Sequence, residues 1–223
     1  MNARSLGLFS GFPTHHFTDA IAQALREELP GRESLVFISA WPDDFLRNDA
    51  DSDGMHEMFA ERGMGFARHS VIDRRTGAAD AARLIREADC VFLMGGDPPK
   101  QMALIRELEL VPVLLACRAI MLGVSAGAMN MGRYAVDCWE TNELYEGIGL
   151  VDIVTKGHYE KDAWFVPVIK EISMTRPVIA MEDESAIFIR ENAVWQLGNI
   201  HLVDKGMITR LADDALREIV KTR

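Results

Sequence analysis

The chain has 223 residues, 48% of them hydrophobic and 26% charged, which suits one domain able to bury a sheet on both faces. A formal net charge of -10 argues against nucleic acid or an anionic membrane as the main partner, since both are recognised through basic patches. Cys90, Cys117 and Cys138 have no ligand spacing and cannot all pair; Cys90 and Cys117 sit in apolar runs and are expected to be small core residues in a reducing compartment. The first residues run straight into the strand-like Leu6-Gly7-Leu8-Phe9 without the apolar core of a signal peptide, and no run approaches membrane-spanning length, so a cytoplasmic protein is expected.

In chain order, short apolar runs alternate with amphipathic segments through residue 131. The pattern predicts strands at 5–10, 34–40, 66–72, 90–95 and 118–124, and helices at 17–29, 51–62, 78–88 and 98–117. The unbroken apolar character of 34–40, 90–95 and 118–124 is that of parallel strands covered on both faces. Asp97-Pro98 has the form of an N-cap followed by proline at the first helical position. Beyond residue 131 the elements shorten. Strands are predicted at 133–138, 150–155, 178–182, 186–190 and 193–198, and helices at 160–175 and 211–221. The strands at 186–190 and 193–198 are expected to form a hairpin around Glu191-Asn192. Strand and helix in alternation imply a parallel sheet with right-handed crossovers. The expected fold is therefore a single α/β domain over residues 1–223, three-layer α/β/α, with a mostly parallel central sheet and extra short strands in the C-terminal third.

The most informative stretch is 119–129. An apolar run ends in Gly123-Val124-Ser125-Ala126-Gly127, and a small-residue helix start follows. This is the G-x-S-x-G arrangement, in which a serine on a tight strand-to-helix turn holds its hydroxyl clear of the backbone. The helix beyond it points free N–H groups and its positive dipole end at whatever the serine attacks.

A serine hydroxyl needs a base within hydrogen-bond reach and a third group to orient that base. Of the six histidines, His158 is the expected base. It follows the apolar strand ending near Val154, in the kind of loop where open α/β sheets assemble their sites. His15 and His16 are expected to cap a helix or touch substrate, His69 to be structural, and His56 to be a solvated helix position. The orienting acid is expected between Ser125 and His158, where Asp137, Glu140 and Glu143 cluster. Backbone N–H groups of Ala126 and Gly96 are the expected donors to a developing oxyanion, because glycine at 96 admits a ligand close to the backbone. No His/Cys/Asp cluster has metal-ligand spacing, so no metal and no cofactor is implied.

Together, Phe92-Leu93-Met94-Gly95-Gly96-Asp97, Gly123-Val124-Ser125-Ala126-Gly127-Ala128, Gly149-Leu150-Val151-Asp152 and Gly157-His158-Tyr159 resemble the dipeptidase E (α-aspartyl dipeptidase) family of serine peptidases. These are relatives of cyanophycinase on the class I glutamine-amidotransferase-like, flavodoxin-like fold. The later Glu182-Asp183-Glu184-Ser185-Ala186-Ile187 resembles an acidic turn before a strand in that family. The resemblance implies Ser125 as nucleophile, His158 as general base and then acid, Gly96 with Ala126 as oxyanion hole, and Glu140 as orienting acid, with Asp137 and Glu143 as alternatives. It further implies a small peptide substrate, of the kind with N-terminal aspartate that dipeptidase E prefers, and a monomer or homodimer is expected. The chain departs from the pattern at Met94-Gly95-Gly96-Asp97-Pro98, where relatives often carry a third glycine and an asparagine. Two other readings compete: an α/β-hydrolase-type esterase using Ser125, Asp183 and His201, and a non-catalytic binding domain on the same fold.

Overall fold

The computed structural model describes residues 5–190 and 193–220. The elements run β1 (Ser5–Phe9), α1 (Asp19–Glu28), β2 (Ser34–Ala40), α2 (Phe45–Glu61), β3 (Arg68–Ile72), α3 (Ala78–Glu87), β4 (Cys90–Gly96), α4 (Pro98–Glu107), α5 (Val111–Ala116), β5 (Ile120–Val124) and α6 (Ala126–Met131). They continue with β6 (Tyr134–Val136), β7 (Leu144–Glu146), β8 (Val154–Lys156), α7 (Val166–Ile172), β9 (Val178–Met181), β10 (Ala186–Arg190), β11 (Ala193–Leu197), β12 (Ile200–Asp204), β13 (Met207–Arg210) and α8 (Asp213–Ile219).

The central sheet has seven strands in the order β11-β10-β1-β5-β4-β2-β3. From β1 to β3 the neighbours are parallel, and β10 and β11 join antiparallel beside β1. Alternation along β4 shows why both faces must be covered. Cys90, Phe92 and Met94 point into a phenylalanine-rich core with Phe9, Phe37 and Phe59, whereas Val91 and Leu93 join the aliphatic core that holds Met102, Ile105 and Met131. A chain whose strands are apolar at every position has nowhere to put them except between two helical layers. The mixed α/β fold expected above is the one observed.

A second sheet, order β13-β12-β9-β8, and the β6-β7 ribbon occupy the C-terminal half. Here β8 and β9 are parallel, with Lys156 opposite Ala180.

Several boundaries differ from those predicted. The helix predicted at 98–117 is two helices, because Glu109 adopts a left-handed φ of 54° and ends the first. The helix predicted at 51–62 begins at Phe45, where the Asp44 carboxylate accepts from Arg47 N at 3.2 Å. Of the strand predicted at 150–155, Val154 and Thr155 enter β8, and Val151 forms only an isolated bridge with Gly132. The helix predicted at 160–175 is confined to Val166–Ile172. β7, β12 and β13 were not predicted. Lys205 (φ 48°) and Gly206 (φ 76°) form the tight turn between the last two, the twist-matched geometry of a two-residue hairpin. The turn predicted at Glu191-Asn192 lies outside the described residues, and the antiparallel strands on either side of it are paired as expected.

Candidate active site

Ser125 stands between β5 and α6 with φ 50° and ψ -109°. Non-glycine residues held at positive φ cost about 1–3 kcal/mol and persist only when the surroundings over-determine them. The surroundings here do so. Ser125 N donates to Phe9 O at 2.9 Å and Ser125 O accepts from Met129 N at 3.0 Å. A Cβ on Gly127 would lie 2.1 Å from Leu93 O, and one on Gly123 would lie 2.7 Å from the Gly127 carbonyl carbon. Both glycines therefore let α6 sit directly on the sheet, which aims the Ser125 hydroxyl outward.

The C-terminal ends of the parallel strands surround it. β4 ends in Gly95 and Gly96, with Gly96 at φ 138°; a Cβ on Gly95 would stand 3.6 Å from Ser125 Cβ. The amide of Ala126 opens α6, so its N–H is among those without an intrahelical partner. β2 delivers Trp41, whose indole is packed against Gly96 and between the cations of Arg47 and Lys100, each 4.8 Å from its ring centroid.

His158 comes from the second sheet. It follows β8 by two residues, and Asp183 follows β9 by two; because β8 and β9 are parallel neighbours, their loops emerge side by side. His158 Nε2 lies 2.8 Å from Ser125 Oγ, and Nδ1 lies 2.8 Å from Asp183 Oδ1. The buried Ser10, just past β1, ties this pair to the central sheet. Its Oγ accepts from His158 N at 2.8 Å and lies 3.1 Å from Asp183 Oδ1 and 3.0 Å from Met181 O. His158 itself is held at φ 58°. The histidine and aspartate side chains remain 48% and 36% exposed, so the site is open to substrate.

Gly11 makes room for the pair. A Cβ there would fall 2.5 Å from both His158 Cε1 and Asp183 Oδ1. The groups able to yield are the two exposed side chains rather than backbone. Gly11→Ala is therefore expected to lower kcat by about 100-fold, the scale of an ångström-sized misplacement of a reacting group, with a small change in melting temperature. Activity and thermal melts on the same preparation check this.

The expected orienting acid, Glu140, is corrected by these contacts: the carboxylate on His158 Nδ1 belongs to Asp183. Glu140 and Glu143 are exposed. Asp137 is buried, but its oxygens are occupied by the N–H groups of Trp139, Glu140 and Thr141 and by the Thr141 hydroxyl. Burial alone would raise its pKa; these four donors outweigh that and hold it below the ordinary carboxylate value. Asp137 thus shapes the loop, and its side-chain hydrogen bonds go to that loop rather than to the histidine. Asp183 is expected from the sequence only in the esterase reading, with His201 as its base; the acidic turn 182–184, directly past a strand, is the local signal that marks it.

The other histidines do not touch Ser125, although His15 and His16 line a cavity that reaches it. His16 Nδ1 meets Glu61 at 2.7 Å, and Thr18 rather than a histidine caps α1. His56 is not solvated as expected: its Nε2 meets Phe66 O at 3.0 Å and its ring stacks on His69, which pairs with Asp53 at 2.9 Å. His201, the base of the esterase reading, has its Nε2 2.7 Å from Glu182 Oε1. Cys90, Cys117 and Cys138 are buried, and among the described residues they form no disulfide with one another. Among the described residues there is no cluster of metal-ligating side chains and no helix long and apolar enough to cross a membrane.

Two cavities flank Ser125. One, of about 370 Å³, is lined by Trp41, Asp137, Cys138, Trp139, Lys156 and Trp164 among others; the second, of about 720 Å³, lies between the loop after β1 and α2 and includes Phe12, His15, Met55, Glu57 and Met58. Gly96, Arg47 and His158 border both.

Residues 6–197 match the family model described as peptidase family S51. Among solved structures, the chain is similar to a peptidase from an acI-B1 Actinobacterium, with a TM-score of 0.73 at 16% identity, covering 100% of this chain and 98% of that one. It is also similar to a candidate peptidase E protein from Listeria monocytogenes EGD-e, with a TM-score of 0.62 at 17% identity, covering 94% of this chain and 100% of that one. No curated protein matches the sequence.

Proposed function

The chain belongs to peptidase family S51, the dipeptidase E-like serine peptidases, and from that membership we propose that it hydrolyses short peptides through an acyl-enzyme formed on Ser125. The observation that carries this reading is the unbroken chain Ser125 Oγ, His158 Nε2, His158 Nδ1, Asp183 Oδ1, with both gaps at 2.8 Å.

As Ser125 Oγ attacks the scissile carbonyl carbon, its proton passes to His158 Nε2. Asp183 keeps the other ring nitrogen protonated and stabilises the imidazolium that forms. The carbonyl oxygen, now negative, is received by the backbone N–H groups of Gly96 and Ala126, with the α6 dipole behind the latter. His158 returns the proton to the departing amine. Water then enters, gives a proton to His158 and attacks the ester, and the proton goes back to Ser125 as the acid leaves.

His158→Ala and His201→Ala, made separately, test the assignment of the base. Loss of the base is expected to lower kcat by at least about 1,000-fold, whereas His201→Ala, which removes only the contact to Glu182, is expected to stay within about fivefold. A His201→Ala enzyme that is dead beside an active His158→Ala enzyme restores the esterase arrangement. Failure of Ser125 to react with a fluorophosphonate probe favours the non-catalytic reading.

A further inference from the structure

Lys156 is a buried cation that the reaction described above does not use. It is 8% exposed and lines the smaller cavity together with Ser125 and His158. Its Nζ donates to Gly157 O at 3.0 Å and lies 3.8 Å from the centroid of the Phe165 ring. Among the described residues no carboxylate stands within ion-pair distance of it, and the charge of Asp183 acts on it only from farther off. An ammonium has three donors and no acceptor, so one carbonyl and one aromatic face leave it under-coordinated.

The acids nearby are already committed. Asp183 is taken by His158 and Ser10, and Asp137 by the loop that follows it. Burial pushes the Cys138 thiol up to about 11, so it stays neutral and supplies no counter-charge. Burial also pulls the Lys156 pKa down, a cost that an incoming anion would relieve.

The remaining wall is apolar. Trp139 and Trp164, 55% and 61% exposed, border the same cavity, an unusual placement for indoles with nothing over them. Across Ser125, the larger cavity carries Asp51, Glu57 and Glu61 against one arginine, Arg47, and His15 and His16. The nucleophile therefore sits between a cavity where Lys156 and Arg47 outweigh the single carboxylate of Asp137 and one whose excess charge is negative, the polarity of a short zwitterionic peptide.

We infer that the Lys156 cavity receives the C-terminal residue of the substrate, with the free α-carboxylate on Lys156 Nζ and an apolar side chain against Trp139 and Trp164. This rests on the peptidase reading and names its substrate class: dipeptides and other very short peptides ending in a large apolar residue. A side-chain carboxylate alone would satisfy the amine but leave most of about 370 Å³ and both indoles uncovered. A residue bearing carboxylate and apolar side chain on one carbon matches both.

The test compares Ala-Phe, Ala-Phe amide, Ala-Ala and Asp-Phe amide as substrates, and N-acetylphenylalanine with its amide as ligands in calorimetry. Wild type is expected to prefer Ala-Phe to its amide by at least about tenfold in kcat/KM, the scale of a charge-assisted hydrogen bond, and to prefer Ala-Phe to Ala-Ala. Lys156→Met brings the acid-to-amide ratio within about twofold. Three results overturn the inference: equal binding of N-acetylphenylalanine and its amide, an acid preference that survives in Lys156→Met, or faster turnover of Asp-Phe amide than of Ala-Phe. The two readings fail separately. Tighter binding of the acid by a protein that cleaves none of the peptides removes the peptidase reading and supports the carboxylate site.

Discussion

Ser125→Ala is expected to leave a folded protein whose kcat on a cleavable dipeptide is lower by a factor on the order of 10⁴ to 10⁶, the loss seen when a nucleophile is removed from a cooperating triad. The size of the effect follows from chemistry rather than from packing. Ser125 Oγ makes its hydrogen bond to His158 and to no core group, and the strained backbone at this position is held by Phe9 O and Met129 N, contacts that alanine retains. Thermal stability should therefore shift by no more than about 1 kcal/mol. Steady-state kinetics beside a melting curve separate the two outcomes, and a variant keeping a tenth of the wild-type kcat removes Ser125 from the role assigned to it.

The second large effect concerns the acid. Asp183→Asn keeps the side chain's shape and an oxygen that can face Nδ1, but it removes the negative charge that favours the imidazolium, and an amide NH₂ presented to the ring selects the wrong tautomer. A fall in kcat of about 10⁴ is expected. Glu140→Gln is expected to change kcat by less than about twofold, because its side chain is exposed and only its backbone N–H is engaged, by Asp137. Measuring the two variants side by side is decisive: a crippled Glu140→Gln enzyme next to an active Asp183→Asn enzyme reverses the correction made above.

That correction shows where a sequence reading stops. Ser125 is legible because its requirements are local: an apolar strand, two glycines where a Cβ would meet backbone, and a helix start within one turn. His158 is nearly as local, a histidine just past an apolar strand. Asp183 lies 58 positions from Ser125 and 25 from His158, and nothing nearby in the chain marks it above Glu182 or Glu184. Its place is decided by the parallel pairing of β8 with β9, a contact between segments separated by a helix. The same limit hid β12 and β13, whose strands are half-exposed and lack the unbroken apolar runs of β2 and β4, and it hid the burial of Lys156, which no hydropathy pattern distinguishes from a solvated lysine.

By itself, then, the amino-acid order determined the layered α/β architecture, the turn that presents the serine and the chemical family to which it belongs, because strand burial and glycine sterics act over a few residues. The tertiary structure alone decided which carboxylate stands on His158 Nδ1 and which cation is buried in the cavity beside Ser125, because both depend on loops brought together by sheet pairing, and pairing across long stretches of chain leaves no periodic trace in the sequence.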